Sequence, residues 1–159
     1  FAASSYSGSS NVSNIKIEEA GWIKLEDQLK HEKSRQAFVA IWFDSSMDDP
    51  YTAIESACFK NEYKALRIDS KEHNNEISGE ILAEIRKSRF VISEVTGQRH
   101  GVYFEAGYAL GLGIPVIWCC KKDELKNVHF DTRQYNHVVW DTPDDLLKKM
   151  TNRIKGSIL

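Results

Sequence analysis

Five short apolar runs, parted by segments with helical spacing or by polar loops, constrain this chain more than any other feature. They are AFVAIWF (37–43), KALRID (64–69), FVISEV (90–95), IPVIWCC (114–120) and HVVW (137–140). The first and fourth are strand-length apolar stretches, as expected for strands buried on both faces of a parallel sheet. Between the runs, apolar residues recur at spacings of three and four. Ala53, Ile54, Ala57 and Cys58 form one such stripe. Ile77, Ile81, Leu82 and Ile85 form a second, in 77–89. A third helix is expected over 102–113, closed by Gly113, and a fourth over 143–158 with Leu146, Leu147, Met150 and Ile154 inward. Asp48 or Asp49 should cap the first helix, with Pro50 at its first position. This alternation predicts βαβ units with right-handed crossovers. The expected fold class is α/β: three layers, with a five-stranded, mostly parallel sheet flanked by helices, over residues 36–158.

Residues 1–14 are rich in Ser, Ala, Gly and Asn and read as a disordered leader or linker. In 15–34, Ile15 and Ile17 alternate, and then Gly21, Trp22, Leu25 and Leu29 share one helical face. This piece is too short to bury its own apolar side. It reads as a helical extension packed on the main domain, or as the tail of an upstream domain in a larger protein.

Composition excludes several classes. The 159 residues are 42% apolar and 28% charged, which rules out wholesale disorder. Lys plus Arg is 21 and Asp plus Glu is 23, a net charge of -2, so no global field draws the chain to nucleic acid or anionic membrane. No apolar run approaches the roughly 20 residues of a membrane span. The first ten residues lack the basic start and apolar centre of a signal peptide. Cys58, Cys119 and Cys120 fit neither a disulfide framework nor a zinc site. They read as buried, reduced thiols of a cytoplasmic protein, with Cys119 and Cys120 on opposite faces of a strand. Asp69 and Glu94 alone make a weak case for a metal, so neither metal nor cofactor is expected.

In open parallel sheets, ligands bind beyond the carboxyl ends of the strands. That rule selects 43–49, 69–75, 94–105 and 121–136. The sharpest feature there is GVYFEAGYALGLGIP (101–115). Glu105 is expected in the first turn of a helix, where free N–H groups and the helix dipole favour its anion. An ionised, well-placed carboxylate can act as a nucleophile or steady an oxocarbenium ion. Glu105 equally suits a helix start with no catalytic role. Ala106, Gly107, Ala109 and Gly111 are small enough to let the helix lie close on the sheet.

The other candidates each have a functional and a structural reading. Arg99 and His100 could meet a phosphate, or lie in a solvated loop with Gly97 and Gly101. Tyr103 follows on the same helix. Glu94 could accept a ribose hydroxyl, or be a satisfied strand-end carboxylate. Trp42 and Phe43 could stack on a base or belong to the core, with Asp44 just beyond them. His73, Asn74 and Asn75 could read a base edge, or simply form a turn. Arg133, Gln134, Tyr135 and Asn136 lie in a long irregular segment that could close over a substrate or enter a neighbouring subunit's pocket.

The stretch GVYFEAGYALGLGIPVI (101–117) resembles the signature of the nucleoside 2-deoxyribosyltransferase-like family. The start AFVAIWFD, the RID segment and the strand FVISEV fit the same layout, so the resemblance covers about residues 36–158. It implies a flavodoxin-like fold and a glutamate, Glu105, that attacks C1′ of a deoxyribosyl unit to form a glycosyl-enzyme. It implies a proton donor at Asp69, a position that also suits a loop-ordering carboxylate. It further implies a homo-oligomer, most simply a homodimer, in which a partner's residue completes each site; 133–136 is the candidate. One departure is Arg99-His100 where the family often has Asp before the motif Gly. The more basic loop points toward a nucleotide, or a dinucleotide such as NAD.

The expected function is therefore cleavage or transfer of an N-glycosidic bond in a nucleoside, nucleotide or dinucleotide, by a transferase or a hydrolase (NAD hydrolase included). The alternative is a non-catalytic nucleotide-sensing or TIR-like signalling module of a larger protein.

Overall fold

The computed structural model describes residues 21–22, 31–68 and 77–158. Five strands, β1 (Gln36–Ala40), β2 (Lys64–Leu66), β3 (Phe90–Glu94), β4 (Val116–Lys121) and β5 (Val138–Trp140), form one sheet in the order β2-β1-β3-β4-β5. Every adjacent pair is parallel, where the sequence suggested only a mostly parallel sheet. Four helices flank it: α1 (Asp48–Lys60), α2 (Ile77–Lys87), α3 (His100–Gly111) and α4 (Pro143–Ser157). The architecture is the flavodoxin-like three-layer α/β fold.

Strand alternation assigns the two faces. Ala37, Val39, Phe90, Ile92, Ile117, Cys119, Val138 and Trp140 pack against the buried stripes of α1 and α4. Phe38, Ala40, Val91, Val95, Trp118 and Cys120 face Ile81 and Ile85 of α2 and Val102, Ala106 and Ala109 of α3. Cys119 and Cys120 thus point to opposite faces, and all three cysteines are buried and free. Phe38 and Phe90 are fully enclosed. Truncating either to Ala would cost about 3–5 kcal/mol, a large share of a typical domain's stability.

Local chemistry corrects several expected boundaries. Neither Asp48 nor Asp49 caps α1; both lie inside its first turn. The N-cap position of α1 is Met47, with no side-chain bond, and Asp44 caps the 3-10 turn just before it (Ser45–Met47), its Oδ1 accepting from the Ser46 N–H at 3.0 Å. Pro50 is the third residue of α1, not the first. It still costs no helical hydrogen bond, because first-turn N–H groups have no acceptor within the helix. The strands are shorter than their apolar runs, since Ile41 to Phe43 already leave the sheet. Gly113 does close α3. Its φ is +76°, its N–H donates to the Leu110 carbonyl at 3.0 Å, and the Ile114 N–H donates to Ala109 at 2.9 Å. This is the paired C-terminal closure that favours glycine at the left-handed position.

No helix lies between β4 and β5. Two 3-10 turns, Lys122–Asn127 and Phe130–Thr132, carry the chain across instead. Upstream of β1, residues 31–33 are helical. The Ser34 hydroxyl donates to the Lys87 carbonyl at 2.6 Å, and His31 Nδ1 lies 3.2 Å from the Ser88 carbonyl, so this end of the extension touches the turn before β3. Residues 1–14 lie outside the described residues. No described helix is long and apolar enough to cross a membrane.

Candidate functional site

The chain runs outward from β1 to β2, then crosses back to β3 on the other side of β1. Connections therefore diverge between β1 and β3, and a crevice opens beyond their carboxyl ends. A cleft of 240 Å³ lies there, lined by Ile41, Trp42, Phe43, Ile68, Arg99, Gly101, Val102 and Glu105. A larger cavity of 940 Å³, which includes Arg35, Phe59, Tyr63 and Lys64, opens at the opposite, amino end of β1 and β2. We place the site at the smaller cleft because topology and chemistry coincide there.

Helical geometry aims Glu105 into the cleft. Val102, Ala106 and Ala109 form the stripe of α3 that packs on the sheet. Gly101 and Glu105 fall beside that stripe, one turn apart, and with Val102 they line the cleft. Glu105 is the sixth residue of α3, not a first-turn residue, and the first turn holds no acidic group. The expected stabilisation of its anion by the helix terminus is thus absent, since that effect fades within the first turn. Burial acts the other way and raises its pKa to about 7. Glu105 forms no hydrogen bond or ion pair with another described residue.

The loop between β3 and α3 adds Arg99 to the lining. Gly97 (φ +77°) and Gln98 (φ +54°) both take left-handed conformations, and the Gln98 N–H closes the turn on the Val95 carbonyl at 3.0 Å. A Cβ on Gly97 would stand 2.9 Å from Cε3 of Trp42, so only glycine lets the loop meet the indole this closely. The Arg99 guanidinium lies 3.8 Å from the centre of the Trp42 ring system, a cation–π contact. On the far side, Arg67 is clamped between Phe43 (4.8 Å) and Tyr51 (4.4 Å), with Asp48 Oδ1 at 3.6 Å. The cleft thus joins a neutral-leaning carboxyl to two aromatic walls backed by fixed cations.

No protein-family model matches the chain. No curated protein matches it either.

Of the residues proposed from sequence, the cleft gathers Trp42, Phe43, Arg99, Gly101 and Glu105. Gly97 acts behind them, through Trp42. His100 opens α3 and is exposed. Asp44 serves as the cap described above. Asp69, His73, Asn74 and Asn75 lie outside the described residues. Glu94 is fully buried and does not line the cleft. Its carboxylate accepts from the Thr96 N–H at 3.1 Å, the Trp140 indole N–H at 3.2 Å and the Thr96 hydroxyl. Burial outweighs these three donors and lifts its pKa to about 7.

Tyr103 faces away from the cleft. Its hydroxyl donates to the Gln98 side-chain oxygen and accepts the His129 N–H at 3.3 Å, tying the β3–α3 loop to the segment before β5. In that segment Arg133 donates to the carbonyls of Val128 and Lys126, and Tyr135 stacks on Trp118 at 5.3 Å. The Asn136 carbonyl accepts from Arg153 at 3.3 Å. None of these three residues lines the Glu105 cleft within the chain. Sequence reading missed Ile41, Ile68 and Val102 as lining residues. The spacing of Val102 three residues before Glu105 was the available signal for one of them. Among the described residues no cluster of His, Cys, Asp or Glu could hold a metal ion.

Proposed function

We propose that this chain cleaves or transfers the N-glycosidic bond of a nucleoside or nucleotide, with Glu105 as the carboxylate that meets the sugar. The observation that carries this is Glu105 in the β1/β3 cleft, which Trp42 and Phe43 also line. Flat aromatic walls suit a base or a sugar ring. A volume of 240 Å³ is below the about 300–1,000 Å³ of pockets for drug-sized ligands, so it suits one ring system better than a whole dinucleotide. Arg99 at the mouth suits a 5′-phosphate.

The chemistry follows from the environment of Glu105. As the bond from C1′ to the base nitrogen breaks, its electron pair leaves with the base, which takes up a proton. The sugar becomes cationic, and a Glu105 oxygen bonds to C1′. Water, or a second base, then attacks C1′ and frees the carboxylate. The burial that lifts the Glu105 pKa to about 7 also removes the water that would screen it from the sugar cation. The free site is thus partly protonated at neutral pH, and the growing positive charge draws out the anion. The resemblance of 101–117 to deoxyribosyltransferases supports the same assignment and supplies Asp69 as the proton donor to the base.

The reading includes a second copy of the chain and a cytoplasmic setting. The outer face of α3 leaves Phe104 61% exposed, with Leu110 beside Gly107 and Gly111, both of which have open space where a Cβ would stand.

The test is release of free base from a panel of deoxynucleosides, deoxynucleotides and NAD, followed by chromatography. Wild type should release base and Glu105→Gln should not, while binding stays within about tenfold. Binding without release from any compound would overturn the reading in favour of a nucleotide sensor.

A further inference from the structure

Arg67 and Arg99 each lie on an aromatic residue of the Glu105 cleft, but they are held differently. Arg67 has Phe43, Tyr51 and Asp48 around it and does not line the cleft. Arg99 lines the cleft, is exposed, and stands at the start of α3 without a side-chain capping bond. Among the described residues its guanidinium makes no hydrogen bond or ion pair, and its one ring contact is Trp42, whose centre is 3.8 Å from Cζ. Burial alone shifts the Glu105 pKa, and shifts it upward. A cation at close range would hold that carboxyl down, so the guanidinium is turned to the indole and not to Glu105.

At 3.8 Å the guanidinium is at stacking distance and occupies an indole face at the cleft. Trp42 has little room to retreat, because a Cβ on Gly97 would stand 2.9 Å from its Cε3 and 3.2 Å from its Cζ3. A ligand ring that stacks on this face therefore displaces Arg99. For an uncharged ligand the exchange loses the cation–π contact and gives the guanidinium nothing in return. A phosphate supplies the partner that Arg99 lacks in the free chain, through charge-assisted hydrogen bonds that match the planar guanidinium.

We propose that Arg99 is the specificity-determining residue of this cleft: it covers Trp42 in the free chain and leaves the ring for the phosphate of the ligand, so the cleft selects a nucleoside 5′-monophosphate over the bare nucleoside. The inference rests on the reading of the cleft as a nucleoside or nucleotide site and says which of the two it takes. It also requires that loss of Arg99 act in opposite directions on the two ligands. The monophosphate loses its partner, whereas the nucleoside finds the indole already uncovered.

The test is calorimetric binding of the common deoxynucleosides and their 5′-monophosphates to the whole chain carrying Glu105→Gln, which keeps the glycosidic bond intact, with and without Arg99→Ala. At least one monophosphate should bind about tenfold more tightly than its nucleoside. Arg99→Ala should weaken that monophosphate about tenfold and tighten its nucleoside about twofold to fivefold, the size of the cation–π contact removed. A side chain that merely ordered the loop would weaken both alike. Thermal unfolding checks that the variant is folded. A second measurement leaves Arg99 in place: its Nε–H NMR signal, assigned with Arg99→Lys, should lie upfield in the free chain, shielded by the indole ring, and move downfield with the monophosphate. No preference for the monophosphate, an equal effect of Arg99→Ala on both ligands, or an Nε–H signal that stays shielded at saturation would each overturn the proposal and leave the reading of Glu105 standing. No binding of any compound would overturn both.

Discussion

Glu94 couples the stability of this domain to pH, and Glu94→Gln isolates the effect. The carboxyl is fully buried at the end of β3 and has a pKa of about 7, against an ordinary 4.5. At about 1.4 kcal/mol for each pH unit, that difference is worth about 3 kcal/mol. The sign follows from linkage: the folded state holds the proton more tightly than the unfolded state. The contribution is complete below pH 4.5, falls as pH rises through 7, and is then lost. Gln cannot ionise, so it removes this loss. Its amide nitrogen would face the Thr96 N–H in place of an acceptor, which costs about 1 kcal/mol. The variant should therefore be more stable than wild type by about 2 kcal/mol at pH 8 and slightly less stable at pH 4.5. With a urea slope of about 2 kcal/mol per molar, the midpoint at pH 8 should rise by about 1 M. Burial lowers the His137 pKa, so that group adds the opposite trend, its contribution being lost as pH falls below 6.5. Urea unfolding of both proteins from pH 4.5 to 8.5, taken as a difference, cancels His137. A difference that does not change with pH would refute the reasoning, because the three donors to Glu94 would then have offset its burial.

Gly97→Ala should cost about 1–3 kcal/mol, because it combines a left-handed φ with a 2.9 Å approach to Trp42; thermal unfolding reads the loss, and Trp42 fluorescence should change with it. Gly113→Ala has open space around it and only the backbone penalty, so about 1 kcal/mol is expected in the same measurement. On the proposed pairing through α3, Phe104→Glu should lower the molecular mass seen by sedimentation, and the melting temperature should fall with it, because association stabilises the folded chain.

How much of this was legible in the sequence depends on the range of the forces involved. Strand and helix order was legible because each apolar run is local and its period is set by the backbone. The faces of β4 were legible for the same reason, which is why Cys119 and Cys120 separate as expected. Helix starts were less so. Asp48, Asp49 and Pro50 all carry helix-start chemistry, yet the side-chain cap in this stretch is Asp44, which bonds to Ser46 two residues on and opens the 3-10 turn before α1, a choice between near-equal local options. The small residues of α3 divided by helical phase: Ala106 and Ala109 face the sheet, while Gly107 and Gly111 face outward. At the site, Trp42 and Arg99 were legible by type and by their positions beyond strand ends, and Glu105 by its place on the helix that follows β3. The roles of Gln98, Tyr103 and Arg133 were not, because each rests on a partner set by the path of a loop. The pKa of Glu105 was the sharpest miss. One turn of helix moved it from the field of the terminus into a pocket where desolvation dominates.

The sheet order also bears on how the chain is made. β1 is the first strand of this sheet to be synthesised and lies inside it, between β2 and β3. Its better-matched neighbour is β3, which begins at residue 90, so the segment AFVA waits through the synthesis of the whole intervening stretch with at least one edge open. Domains emerge from the ribosome at roughly 5–20 residues per second, so that exposure lasts seconds. An apolar strand with a free edge can pair with a neighbouring nascent chain as readily as with its own. The early interior strand therefore leaves this domain with an open pairing edge during synthesis, and that exposure ends once β3 has docked.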